Sequence, residues 1–572
     1  MKTFHFRGFS GLNENASFSD RPTSANEISN FKINENGSLE TIDSITKICD
    51  VGHQIKAMWS GRLGYEDVLI FIAGGKIYRM SLPLKTYTPS YMDDIDDADE
   101  YLLFYFNDYI YIMTDEKYYK FDGSELYEVE GYIPLVALSC HPNGSGEIFE
   151  QINLICDKRR QLFSSDGTSK EYVLAEDDID KILSVKIDNM LTNNFTFSEN
   201  KRSIVFSAIP KEGTNNVEII YSKANTNLDR GRIMNCKKAM VFGGNSNGRV
   251  FLWGNKYYPN YRFYSEVANG LPSVEYFPVN AFTVIGNSKI NCIVQQYNRQ
   301  LIFCEKEAYY SYCELREDEL GNTVSSFPVF SMNGSKGSLI ETDGCIIDNR
   351  PITLCDDGLN MWESTSVQDE KNAVCFSNPI SKTLKTILSN LQSKILMFDF
   401  QANRELFFVC GDKIYIYNYA NGSWYMYTKL LIDKKTVFGK MLFYSHENAV
   451  YVFGSDIVTN DDNSCIWKSN PITFGESSGR FDIVSCEADI HVRGPIQLSF
   501  SFSEDGSISE ITRTFAYDNY TNNHIRIAFR PSIKRSMPIK MNIKQSGIGK
   551  VIIYGLTIKI RKHERSLKLG LR

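Results

Sequence analysis

The sequence predicts an all-β chain: a β-propeller with an inserted small β domain and a C-terminal β-sandwich. Three observations predict it. The first is a recurring unit of apolar strand, two-residue turn, second strand rich in Ile and Tyr, and aromatic strand. The second is an aromatic content of 13%, made almost entirely of 33 Tyr and 36 Phe, which favours pleated strands over helices. The third is a change near residue 476, where continuous apolar runs give way to strict alternation.

The unit is clearest at residues 68–73, a Gly74-Gly75 turn and 76–80, and again at 101–106, an Asn107-Asp108 turn and 109–113. Residues 117–121 follow, closed by Asp122-Gly123. The same grammar returns at 405–410, Gly411-Asp412, 413–417 and 423–427. Gly, Asn and Asp accept the positive φ that a two-residue hairpin turn requires. Further copies are expected at 299–312, 351–362 and 449–467. Repeated meanders of this kind predict a propeller; a sandwich of similar hairpins is the alternative. Residues 133–225 break the pattern with Pro134, His141-Pro142-Asn143-Gly144 and several short apolar runs. A structureless loop of that length is improbable, so a small inserted β domain is expected. Only residues 382–394 look helical. The expected organisation is an N-terminal arm at 1–42, a propeller at 43–132 and 226–475, the inserted domain at 133–225, a sandwich at 476–563 and a basic tail at 564–572.

The first 42 residues are polar and loop-rich, with spaced apolar anchors at Phe6, Phe9, Leu12, Ile28, Phe31, Ile33 and Leu39. Asn34-Glu35-Asn36-Gly37 between two apolar triplets predicts a hairpin. Such an arm can order on a partner surface. This stretch resembles bacteriophage virion proteins of the tail, including tail hubs and nozzles. The matching residues are Glu27, Asn30-Phe31 and Gly37-Ser38-Leu39, followed by Thr41-Ile42-Asp43 where family members often have a basic residue and a glycine. Residues 205–221, with Pro210, Gly213, Asn216-Val217 and Tyr221, and the string from Phe242-Gly243-Gly244 to Tyr276-Phe277-Pro278 are similar to the same group. The resemblance implies a structural part of a phage tail or neck and a homo-oligomeric ring. It implies portal, adaptor or tail proteins as partners, transient passage of double-stranded DNA, and location in the virion after synthesis in the host cytoplasm.

A length of 572 residues suits two to four domains. A formal net charge of −7 argues against nucleic-acid binding by the whole surface. The opening residues lead into polar sequence without an apolar signal region, and no run has the length of a membrane span. The 13 Cys are dispersed without C-x-x-C, which suits a reducing compartment.

No catalytic constellation is expected, and no enzyme, cofactor or metal site is assigned. Residues 164–168 and 503–507 resemble the aspartate-box turns of sialidase-type propellers, which are structural. The acidic run at 93–100 could offer carboxylates to calcium or to a glycosidase, but it lacks the calcium-loop spacing, and a solvated loop is expected. The seven His form no zinc pattern; neither a P-loop nor a nucleophile elbow is present. A carbohydrate-binding or depolymerising propeller of a phage tail is the alternative function.

The C-terminal end stands apart. Residues 533–572 hold eleven Lys or Arg and one Glu, a marked asymmetry in an acidic protein. Contact with DNA phosphates, docking to an acidic partner and a solvated strand face all fit this pattern. Tight phosphate contacts would hinder DNA sliding, so Lys559, Arg561, Lys562 and Arg565 are expected to face a protein partner.

Overall fold

The computed structural model describes residues 1–16, 23–225, 227–243, 248–317, 323–363, 372–391, 395–454, 464–474, 480–504, 511–531, 533 and 538–563. The described chain is all-β apart from short helical pieces, chiefly Asn227–Met234 and Ser381–Leu388. The second helix overlaps the first part of the stretch expected to be helical, 382–394. The first was not expected, since Gly231 interrupts it and Gly is a poor helix former.

Among the described residues, seven four-stranded antiparallel meanders follow one another, at 55–94, 102–128, 238–284, 290–333, 346–375, 395–427 and 434–454. The last has three strands of its own. Its fourth is Ser44–Asp50, which precedes the first meander in sequence and pairs antiparallel with Ala449–Gly454. The apolar runs are continuous because the strands are buried on both faces. Val68, Ile70 and Ile72 pack with Ile110 and Ile112 of the second meander. Leu69, Phe71 and Ala73, on the other face, pack with Phe443, Val450 and Val452 of the seventh. The sharing continues at Phe104 with Val250, Trp253 with Ile293, and Phe303 with Trp362. Leu354, Phe407 and Phe453 share one cluster across the fifth, sixth and seventh meanders. Ser60 Oγ and Thr436 Oγ1, 2.7 Å apart, link the first strands of the first and seventh. The arrangement is propeller-like. The expected two-residue turns are present: Gly74, Gly75, Asn107 and Asp108 have φ of 56°, 67°, 46° and 62°.

Two elements differ from expectation. The copy expected at 449–467 is split: Ala449–Gly454 belongs to the seventh meander, whereas Cys465–Ser469 joins another sheet. The first 42 residues are also no free arm. Lys2–Arg7 pairs with the last strand, Lys550–His563, and Ser24–Ser29 lies between Cys465–Ser469 and the sixth meander. Phe31–Ile33 and Leu39–Thr41 form the expected hairpin, with Ile33 opposite Leu39. All seven apolar anchors are buried in the main core, where burying each large side chain is worth about 1.5–3 kcal/mol. That gain holds the segment on its own chain.

The C-terminal strands divide between two sheets that share this core. One sheet runs Phe31–Ile33, Leu39–Thr41, Lys550–His563, Arg480–Arg493 and Asn522–Phe529, with Lys2–Arg7 also on Lys550–His563. The other continues from the sixth meander through Ser24–Ser29, Cys465–Ser469, Ile539–Ser546 and Ile496–Glu504 to Ile511–Tyr517. Alternation sends Ala488, Ile490 and Ile558 of the first inward against Leu498, Phe500 and Ile543 of the second. Between the second and third meanders lie a six-stranded and a three-stranded sheet, at 135–222. They bury their own cluster around Phe163, Tyr172, Phe206 and Tyr221.

Candidate functional site

The first strands of the first, second, third, sixth and seventh meanders converge on a cavity of about 520 Å³. Its charges are arranged in pairs. Lys237 Nζ lies 2.6 Å from Asp115 and 3.8 Å from Glu100. Lys238 Nζ lies 2.5 Å from Asp343, and Lys435 lies 3.9 Å from the same carboxylate. Burial alone would push the Asp343 carboxyl up; the ammonium groups of Lys238, Lys435 and Lys434 outweigh it and hold the group at about 2. The volume is that of a small-molecule site. It is far too small for a nucleic-acid duplex, whose major groove alone is about 12 Å wide.

A buried polar cluster joins the N-terminal hairpin to the sixth meander. The Tyr425 and Tyr427 hydroxyls donate to Glu405 Oε1 at 2.7 and 2.8 Å. Asn403 Nδ2 donates to Glu405 Oε2 at 3.3 Å and to Asp43 Oδ2 at 2.7 Å. Lys32 Nζ closes the cluster 2.9 Å from Asp43 Oδ1. Glu405 is fully buried. Burial pushes its carboxyl up, with Asp43 adding to the rise and Lys32 opposing it, to about 7. Asp43 is held low, because Lys32 and its hydrogen bonds outweigh burial. In the sequence, Glu405 is a single charge at the head of an apolar run, and nothing local shows that it is enclosed.

The N-terminal residues among those that carry the phage-protein resemblance tie the first strands to this part of the chain. Glu27 pairs with Lys468 at 2.7 Å. Asn30 takes a left-handed backbone with φ of 57°. Its Nδ2 donates to Thr428 Oγ1 and the Ser464 carbonyl, and its Oδ1 accepts from Thr428 N. The Ser38 N–H donates to Asn34 Oδ1 at 2.9 Å, which shapes the hairpin turn.

Of the basic residues expected to face a partner, Lys559, Arg561 and Lys562 lie on the strand Lys550–His563. Lys559 Nζ is 3.2 Å from Glu487 Oε1. Arg561 is exposed opposite Asp482 in the register, and Lys562 is exposed at the strand end. Arg565 and the tail at 564–572 lie outside the described residues. The acidic run meets cations: Asp96 pairs with Lys117 at 2.8 Å and Asp97 with Lys56 at 2.9 Å. Asp166 accepts the Thr168 and Ser169 N–H groups and the Ser169 hydroxyl, a self-contained turn. None of the 13 cysteines is paired in a disulfide. Among the described residues, no group of three or more His, Cys, Asp or Glu could hold a metal ion. No helix there is long and apolar enough to cross a membrane.

No family model matches the chain, and no curated protein matches it. Among solved structures it is similar to YCF48 from Cyanidioschyzon merolae, with 7% identity over 72% of this chain and 98% of that one and a TM-score of 0.26. It is also similar to apo AztD from Citrobacter koseri, with 10% identity over 75% and 97% and a TM-score of 0.30. An exo-β-1,3-galactanase from Phanerochaete chrysosporium gives 8% identity over 91% and 100% with a TM-score of 0.17. None of the three is described as a virion part, and the likenesses are too distant to bring any activity to this chain.

Proposed function

We propose that this protein is a structural component of a bacteriophage particle. It forms part of a tail or neck ring, a hub or nozzle, that takes part in assembly and DNA passage. Its architecture in this reading is a seven-bladed β-propeller with a small β domain inserted after the second blade and a sandwich completed by the N-terminal strands. The observation that carries the proposal is the placement of the resemblance residues. Glu27, Asn30 and the Asn34–Ser38 turn tie the N-terminal segment to both the sixth meander and the C-terminal sheets. A chain whose first and last described strands are paired with each other and joined to its meanders suits a rigid building block. In this reading DNA passes through an opening between several copies, and the small size of the charge-paired cavity supports that over passage through one chain. Lys559, Arg561, Lys562 and Arg565 are assigned to an acidic protein neighbour in that assembly.

The test is the content of purified particles. Mass spectrometry of phage from a host carrying this gene should find the chain at several copies per particle, and negative-stain microscopy of the recombinant protein with its neighbours should show rings. A chain absent from particles and monomeric with every neighbouring gene product would overturn the proposal.

A further inference from the structure

The outer face of the sandwich carries a depression apart from the features above. Its floor follows one register line across four strands: Arg7 opposite Gly555, Gly555 opposite Asp489, and Asp489 opposite Arg526. Gly555 contributes no side chain, so Arg7 and Asp489 flank a gap of two strand spacings, roughly 10 Å. A Cβ at Gly555 would lie 2.6 Å from the carbonyl oxygen of Phe6, so the close approach of the first strand requires glycine here. A β-bulge sits at the same point. The register steps from Asp489–Gly555 to Ile490–Ile553 and leaves Tyr554 as the extra residue. Bulges re-aim side chains. Tyr554 is exposed, with its ring centroid 5.4 Å from that of His524. His5 Nδ1 lies 3.0 Å from Thr557 Oγ1 at the adjoining wall. The enclosed volume is about 500 Å³, within the range of small-ligand sites.

The chemistry is asymmetric. Arg526 is engaged, with Nη2 2.9 Å from Glu487 and Nε 3.7 Å from Asp489. Arg7 is exposed and makes no ion pair among the described residues. A free guanidinium presents a fork that matches an oxyanion. An exposed aromatic ring offers a flat apolar face, while Asp489 and Thr557 supply acceptors and a donor for hydroxyl groups. A long polyanion fits poorly, because Asp489 and Glu487 would repel successive charges. One oxyanion on a polyol fits all four groups.

We propose that this depression binds an anionic saccharide unit, a sugar carrying a carboxylate, sulfate or phosphate. The oxyanion lies at Arg7, the ring lies against Tyr554, and hydroxyls lie at Asp489 and Thr557. The proposal does not rest on the virion assignment.

The test is titration calorimetry of the full chain with heparin-derived oligosaccharides, oligogalacturonate, phosphorylated oligomannose, a neutral dextran oligomer, inorganic phosphate and polyglutamate. At least one charged oligosaccharide should bind, and the neutral one should not. Arg7→Ala, which removes an exposed side chain, and Tyr554→Ala should each weaken binding roughly tenfold or more. Tyr554→Phe keeps the ring and should bind within about twofold of the parent. Three results each overturn the proposal: no charged oligosaccharide binds; binding persists in Arg7→Ala; or phosphate or polyglutamate binds as tightly as the charged sugar. Near-UV circular dichroism confirms the fold of each variant, and if Tyr554→Ala unfolds, Arg7→Ala and Tyr554→Phe decide.

Discussion

At the scale of single residues, Glu405 has the clearest consequence. Its carboxyl is fully buried, and ionising it beside Asp43 leaves one cation, Lys32, among two anions. The folded chain therefore holds the Glu405 proton up to about 7, against 4.5 ordinarily. A pKa raised on folding gives stability that is fully present below the ordinary value and is lost as pH rises through the folded one. The loss should amount to about 3 kcal/mol between pH 4.5 and 7. Asp43 acts in the opposite sense at lower pH: its depressed carboxyl gives stability that is lost as the medium turns acid. Glu405→Gln keeps an oxygen for both tyrosine hydroxyls and removes the titration. Thermal unfolding should show the parent melting lower at pH 8 than at pH 5 and the variant nearly level between the two. A parent profile that rises from pH 5 to pH 8 while the variant matches it would count against a buried, protonated Glu405.

At the scale of elements, the strands that matter most are those that arrive from far away in sequence. Ser44–Asp50 completes the seventh meander, and Ser24–Ser29 bridges that ring to the C-terminal sheets. The chain at Gly11 is seated as closely. Gly11 has φ of 83°, and a Cβ there would lie 2.7 Å from the Trp424 carbonyl oxygen. Gly11→Ala should cost about 1–3 kcal/mol through backbone strain and displacement of the sixth meander, read as a lower melting temperature. Gly52→Ala, a positive-φ position with nothing near its Cβ, is the control and should cost less. The sequence made the meanders legible because each two-residue turn demands Gly, Asn or Asp and each strand buried on both faces needs an unbroken apolar run. Gly74-Gly75 and residues 68–73 show both. It did not make the closure legible. Residues 44–50 and 24–29 carry ordinary strand composition, and nothing local names a partner about 400 positions away. Phe6, Phe9 and Leu12 could be read as anchors, but not whether they anchor on another copy or on the same chain. The Lys32–Asp43–Glu405 cluster was hidden for the same reason, since its members meet only after closure.

At the scale of the whole molecule, the distribution of charge bears on the proposed assembly. The chain is acidic overall, with a formal net charge of −7, and its last forty residues are basic. The structure adds a distinction within that segment. Lys559 is met by Glu487 on its own face, whereas Arg561 stands exposed near the end of the same strand. A docking surface at this end should therefore draw more on Arg561 than on Lys559. Of the four positions reversed to Glu (Lys559, Arg561, Lys562 and Arg565), the three on the described strand are exposed or partly exposed, and surface pairs are worth about 0–1 kcal/mol each, so melting should move little. Incorporation into particles should fall. Docking of the parent to its neighbour should weaken between low and physiological salt, because opposed exposed charges are screened beyond about 8 Å at 0.15 M ionic strength. The reversed protein should bind weakly at every salt concentration. Arg561→Glu alone should reproduce more of that loss than Lys559→Glu alone. If the fourfold variant assembles normally while DNA retention or release changes, the segment meets phosphate and the partner assignment fails.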